Sequence, residues 1–371
     1  MLAPARHQWL LESSRQFAKV ACEAALENRE SGQIDPDVWR ALHRSGLAMA
    51  PFAEAQGGLG LAEPEHQIHL CSILRILGGA DLSLARLFEG HLNAISLVAR
   101  YGTPAQADQL ARDVQRGEFA GVWGAEDAIG LKRIQVSGGW QLEGRKVFAS
   151  GVGLIWRPLI TVGAAQGPTL YLLNLAGDES VDVSGWQPLG MRSTASGTVD
   201  FTGTIVTADN QIGSPGDYLR QPFFSGGAWR FCAAQLGATE RLVELYQDQL
   251  LARGRGNDPY QLERLAQCVA SVGTASFWVE EAARRFSDES LASKGVVAFA
   301  NLTRMVTERA ALDVMERIQR GIGLNAFIQP HPVERICRDL ATYLRQPVPD
   351  LAMSDAARAV LDGHLTVGAF P

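Results

Sequence analysis

The sequence predicts an α+β multidomain chain in three parts: an N-terminal helical domain over 1–118, a middle antiparallel β-barrel domain over 119–220 and a C-terminal four-helix bundle over 221–371. Three observations lead there. Helical periodicity runs from about Pro4 to Glu118, broken by glycine-rich joints. After Glu118 the texture changes to short β-branched and aromatic runs separated by tight turns. From about Phe223 the helical period returns and holds to Arg345.

The first part reads as LLESSRQFAKVACEAAL, PDVWRALHRSGL, HQIHLCSILRILGGADLSLARLFEGHLNAISLVARYG and PAQADQLARDVQRG, with the loop PFAEAQGGLGLAEPE between the second and third. In the middle part, Trp140–Val147, Leu159–Val162, Thr169–Leu175 and Thr198–Val206 carry the strand signal, and strands without intervening helices suggest a barrel or sandwich. The last part offers three long helical runs and then HPVERICRDLATYLRQP, a pattern that suits an up-and-down bundle. Here Pro332 fits the first helical position and Glu334 favours the positive end of the helix dipole. Val333, Ile336, Cys337, Leu340 and Leu344 form one apolar stripe, and Glu334 with Arg338 and Arg335 with Asp339 are i,i+4 charge pairs. By itself this reads as a surface helix that Pro347 stops.

Composition narrows the partners. The chain has 371 residues, 46% of them hydrophobic, so a large core is within reach. A net charge of −6 and a pI near 5.7 give no basic field for nucleic acid or anionic membrane. No segment reaches the ~18 apolar residues of a membrane span. The five cysteines are scattered, without a CxxC pair, which argues against a zinc site or a disulfide framework and for a reducing, cytoplasmic home. The N-terminus, with charges inside its apolar pattern, reads as an amphipathic helix rather than a signal peptide.

Taken together, QGGLGL, LEGRKVFASG, PLGMRSTASGTVDF and HPVERICRDL, in this order within a helical–β–helical chain, resemble the acyl-CoA dehydrogenase family of flavoproteins. The resemblance spans essentially the whole chain. It implies FAD bound between the β domain and the bundle, with a neighbouring subunit completing the site, hence a homodimer or homotetramer. It also implies a small-molecule acyl thioester or related substrate and either an electron-transfer partner or a flavin reductase. Phe148 and Ser150 stand where the family's flavin-contacting aromatic and hydroxyl residues stand; Gly124 and Ala125, followed by Glu126, match its flavin-binding strand and loop. The family usually has Thr or Ser at Ala125 and Ser where Gly130–Leu131 stand. Arg253 resembles the residue that reaches a partner subunit's FAD, and Gln319 and Gly323 resemble the Gln-x-x-Gly-Gly element. Arg230, with Trp229 before it, stands where the family meets its substrate.

The same resemblance exposes a gap. The family's reaction needs a glutamate to take the α-proton, and its commonest position is Pro347 here. The alternative position, on the first bundle helix, is also empty: Ser225–Gly237 has no acidic residue. Because a positioned base contributes about 10²–10⁴ in rate, three readings stay open. One is a dehydrogenase with its base elsewhere, with Glu240, Asp350 and Glu126 as candidates. A second is a flavin-dependent monooxygenase of the same fold, resembling the dibenzothiophene-monooxygenase branch, with His91 near the flavin. The third is a non-catalytic flavin- or acyl-binding homologue.

Overall fold

The computed structural model describes residues 4–27, 32–177 and 179–368. Its first part holds five α-helices: α1 (Pro4–Glu27), α2 (Pro36–Arg44), α3 (Gln67–Ala80), α4 (Leu82–Tyr101) and α5 (Pro104–Gln115). Capping sets their starts. The Asp35 side chain accepts from the Asp37 amide, Asp81 accepts from Leu84, and Thr103 with Gln106 forms a capping box. A single residue, Asp81, separates α3 from α4 and turns the chain.

The middle part contains β1 (Phe119–Trp123), β2 (Leu131–Val136), β3 (Gly139–Ala149), β4 (Ile155–Val162), β5 (Thr169–Leu172), β6 (Ser180–Asp182), β7 (Gly197–Asp200), β8 (Ile205–Val206) and β9 (Gln211–Ile212). The expected antiparallel barrel is instead two sheets, ordered β1-β4-β5-β9 and β2-β3-β7-β6 with β8 beside β3. All pairings are antiparallel except β1 with β4, which is parallel. The reason is topological. The β2–β3 hairpin belongs to the other sheet, so the chain returns to β1 by a crossover rather than a tight turn.

The last part runs α6 (Trp229–Ala252), α7 (Pro259–Ser287), α8 (Ser293–Ile322), α9 (Pro332–Tyr343) and α10 (Pro349–Leu361). Helices α6, α7 and α8 pack on one another, α9 closes against α6 and α8, and α10 lies on α8. Two contacts fix how this bundle meets the rest. First, α3 crosses α6 with no room for side chains: a Cβ at Gly78 stands 2.0 Å from the Ala234 carbonyl oxygen, and one at Gly237 stands 1.9 Å from that of Arg75. Glycine there permits backbone-to-backbone approach. Second, α9 is no surface helix. Arg335 and Asp339 are buried. Arg335 donates to the Ala80 carbonyl at 3.3 Å and lies 3.9 Å from Asp81, while Asp339 accepts from the Met191 amide at 2.6 Å. The charged motif therefore ties the first helical part, the β part and the bundle together. The helix ends at Tyr343, four residues before Pro347, with its terminal carbonyl taken by Gln235 and Gln346 side chains at 2.9 and 2.6 Å.

Candidate functional site

A cavity of about 1470 Å³ opens where the three parts meet. Of the residues singled out by sequence, it gathers Gly124, Ala125, Phe148, Ser150, Arg230 and Pro347. Ligand sites for one drug-sized molecule run to roughly 300–1,000 Å³, so this space admits more than one bound molecule.

Its β wall is made by the ends of β1 and β3. The register of β3 against β7 breaks between Lys146 and Ala149, and within that break Phe148 adopts φ +51° and stands 69% exposed. A bulge that re-aims a side chain explains the geometry, and a large residue in left-handed backbone is costly unless its surroundings enforce it. Trp186 meets the Phe148 ring edge-on at 6.4 Å. The Ser150 hydroxyl is 3.0 Å from that of Ser196, which is 3.0 Å from Thr194, which donates to the Met191 carbonyl at 2.9 Å. Met191 and Ala195, on the same connection, also have positive φ. Behind this wall the buried Lys146 ammonium bonds Thr161 at 2.9 Å and pairs with Glu126. Glu126 is thereby an ion-pair partner.

Sequence reasoning missed the other wall. On α4, Arg86, Glu89 and Asn93 line the cavity at helical spacing. Glu89 is 6% exposed, and its carboxylate accepts from Arg86 at 2.8 Å, Asn93 at 2.7 Å and the Tyr343 phenol at 3.3 Å. Burial, reinforced by the Glu89 charge, raises the Tyr343 phenol well above its ordinary value, so it stays a proton donor. Arg230 enters from α6, two turns before the Gly237 crossing; its Nη1 donates to Asn93 at 3.2 Å and its Nη2 to Gln67 at 3.3 Å. The available signal was three polar residues, Arg86, Glu89 and Asn93, recurring at i, i+3 and i+7 on one face of a largely apolar helix.

The remaining predicted residues lie elsewhere. His91 is fully buried, its Nε2 2.9 Å from the Ala48 carbonyl and its Nδ1 accepting from the Ala120 amide at 3.1 Å. Burial lowers it to about 4, so it is a neutral strut joining α4 to β1 and does not line the cavity. Glu240 is an ion-pair partner of Arg75, outside the cavity. Asp350 opens the first turn of α10, and Trp229 is buried behind Arg230 and Phe286. Arg253, Gln319 and Gly323 are also absent from the cavity lining. Arg253 caps the end of α6 and Gly323, at φ +78°, caps α8, a position that itself favours glycine.

The fold and this cavity define the class: a three-part helical and β protein built around a cofactor-sized space. Comparison with known proteins makes it specific. The acyl-CoA dehydrogenase N-terminal domain profile matches residues 4–118 and the C-terminal domain profile matches 229–345. A dibenzothiophene monooxygenase of Mycolicibacterium goodii is 22% identical over 98% of this chain and 96% of its own length. The solved dibenzothiophene monooxygenase of Paenibacillus sp. A11-2 superposes with a TM-score of 0.84 at 21% identity, over 97% of this chain and 99% of that one. Butyryl-CoA dehydrogenase of Megasphaera elsdenii does so with 0.84 at 17% identity, over 96% and 98%. The chain belongs to the acyl-CoA dehydrogenase family.

That family is flavin-dependent, and FAD is the flavin expected here; solved relatives hold FMN in the Paenibacillus sp. A11-2 enzyme and FADH2 in XiaF of Streptomyces sp.. The residues present fit a flavin. A volume of about 1470 Å³ exceeds a substrate's need, an exposed Phe is held in strained backbone on the wall, and Phe148, Trp186 and the Ser150 hydroxyl offer ring contacts and a donor.

Proposed function

We propose that this chain is a flavin-dependent monooxygenase on the acyl-CoA dehydrogenase fold, working on a small molecule with reduced FAD supplied by a separate flavin reductase. The observation that carries this reading is the state of the cavity's carboxylates. Pro347 occupies the family's usual base position, and its carbonyl accepts from Arg304 at 2.7 Å. Among the described residues only Glu63, Glu89 and Glu289 line the cavity with a carboxylate. Glu89 has its oxygens taken by Arg86, Asn93 and Tyr343. Glu63 lies 4.0 Å from His66, and Glu289 is exposed on the α7–α8 connection. A general base must be aimed at the proton it removes; the Glu89 carboxylate is committed to three donors, Glu289 is exposed to solvent, and neither it nor Glu63 stands at the family's usual base positions.

When bound, reduced flavin supplies the electrons that activate dioxygen, and that chemistry requires no α-proton base. The protein's own work is then positional. Phe148 and Trp186 would confine a bound ring from the β side, and Gly124, Ala125 and Ser150 border the same wall. The Glu89 network closes the helical wall, and the Tyr343 proton stays in place at neutral pH. The coverage shared with the dibenzothiophene monooxygenase supports the same choice. Arg253, Gln319 and Gly323, at the far end of the bundle beside exposed Leu251, Leu324 and Phe327, support a second copy that shares the cofactor, hence a homo-oligomer.

The test supplies the purified protein with FAD, NADH, a flavin reductase and isotopically labelled dioxygen, with dibenzothiophene and indole as trial substrates. A product carrying one labelled oxygen is expected. Anaerobic bleaching of bound FAD by butyryl-CoA, with no labelled product, overturns the reading in favour of dehydrogenation.

A further inference from the structure

We infer that the cavity accepts a small acid, with one carboxylate or sulfonate head and an apolar body, and that Arg230 grips the head. This deepens the reading above by naming the substrate class of the same site. Three buried arginines can be compared: Arg157, Arg230 and Arg335. Arg157 pairs with Asp113, and Arg335 lies 3.6 Å from Asp339 and 3.9 Å from Asp81. Arg230, 7% exposed, has only the neutral amide oxygens of Asn93 and Gln67, and its Nε has no partner. All three of these side chains line the cavity. A buried guanidinium without a directly paired carboxylate is costly, and an acid head with two oxygens matches its fork.

The surroundings sharpen the argument. Arg100 lies 3.5 Å over the Phe223 ring, Phe223 meets Phe286 edge-on at 6.4 Å, and Arg230 lies 4.8 Å from the Phe286 centre. Two guanidinium groups thus flank one aromatic pair on the cavity wall. Burial lowers Arg230 to about 10 against the attraction of the Glu89 charge, with repulsion from Arg100 adding to the lowering, and this leaves it charged at neutral pH. Glu89 attracts Arg230 through the bridging Asn93 but makes no direct ion pair with it, its oxygens being taken by Arg86, Asn93 and Tyr343. Phe223, Phe224, Phe286 and Tyr218 supply the apolar lining for the acid's body.

Calorimetric titration of the full chain compares phenylacetate with neutral phenylacetamide, and methanesulfonate with neutral dimethyl sulfone. At least one acid is expected to bind about tenfold or more tightly than its neutral counterpart. Arg230→Gln abolishes that difference and Arg230→Lys keeps part of it. Equal binding of each pair, no binding of either acid, or a difference that persists in Arg230→Gln overturns the proposal. If Arg230→Gln does not fold, the wild-type comparison decides. FAD, FMN and riboflavin are titrated in parallel: if Arg230→Gln weakens the two phosphorylated flavins but not riboflavin, Arg230 is a cofactor clamp and the proposal falls. The titration uses neither oxygen nor reductase, so its failure is separate from failure of the monooxygenase reading.

Discussion

The two walls of the cavity are held by different physics. The β wall rests on strained backbone: Phe148, Met191 and Ala195 all have positive φ near the bulge in β3. The helical wall rests on charge, with Glu89 paired to Arg86 and Arg230 left without a direct carboxylate partner. Strain fixes the shape of a surface, which suits a cofactor whose form does not change. Unbalanced charge selects what enters, which suits a substrate. The family's sequence marks lie on the first wall and the second carries no carboxylate at the family's usual positions, so on the proposed reading cofactor binding and reaction type have separated within one cavity.

The frame that sets the walls opposite each other offers the largest effect. Gly237→Val forces a side chain into the Arg75 backbone and is expected to abolish soluble folded protein, read by far-UV circular dichroism. Gly273→Ala, on open α7, is the contrast and raises stability by ~0.5–1 kcal/mol.

On the helical wall, Glu89→Gln leaves Arg86 without its partner, and denaturant unfolding should show a loss of roughly 2–3 kcal/mol. An unchanged midpoint removes the idea that charge organises this wall.

Outside the cavity, where α9 ties the parts together, Asp339 provides a pH signature. Burial raises it from 3.8 to about 6, against the opposing charge of Arg335, while Asp81 and Arg338 also face it. The folded state then binds the proton more tightly than the unfolded one. This contribution is complete below about pH 4 and is lost as pH rises through about 6, an amplitude of order 3 kcal/mol. Asp339→Asn should flatten that slope in thermal melts.

Of the two walls, the smaller effect belongs to the β wall. Phe148→Gly relieves the left-handed backbone and should raise stability by ~1 kcal/mol while weakening flavin binding. A variant that loses stability and keeps its flavin would show that Phe148 is a packing residue.

Much of the fold was legible because periodicity and turn residues are local signals: α6, α7 and α8 follow the helical runs, and Pro332 does begin α9. The parallel pairing of β1 with β4 was not, since it depends on which sheet receives the intervening hairpin. Phe148 and Ser150 could be read through motif register, and both line the cavity. Arg335 and Asp339 read as a surface ion pair because sequence spacing cannot reveal that Ala80 and Met191 close over them. Glu89 escaped because its role comes from Tyr343, 254 residues away, and His91 drew attention in its place although its ring only bridges two backbones.

The central claim is that cofactor binding is kept while α-proton chemistry is absent. The most direct measurement mixes FAD-loaded protein anaerobically with short-, medium- and long-chain acyl-CoA and follows the visible flavin band, then supplies reductase, NADH and air. The account predicts an unchanged band in the first stage and oxygen uptake coupled to product in the second. Prompt bleaching by any acyl-CoA contradicts it.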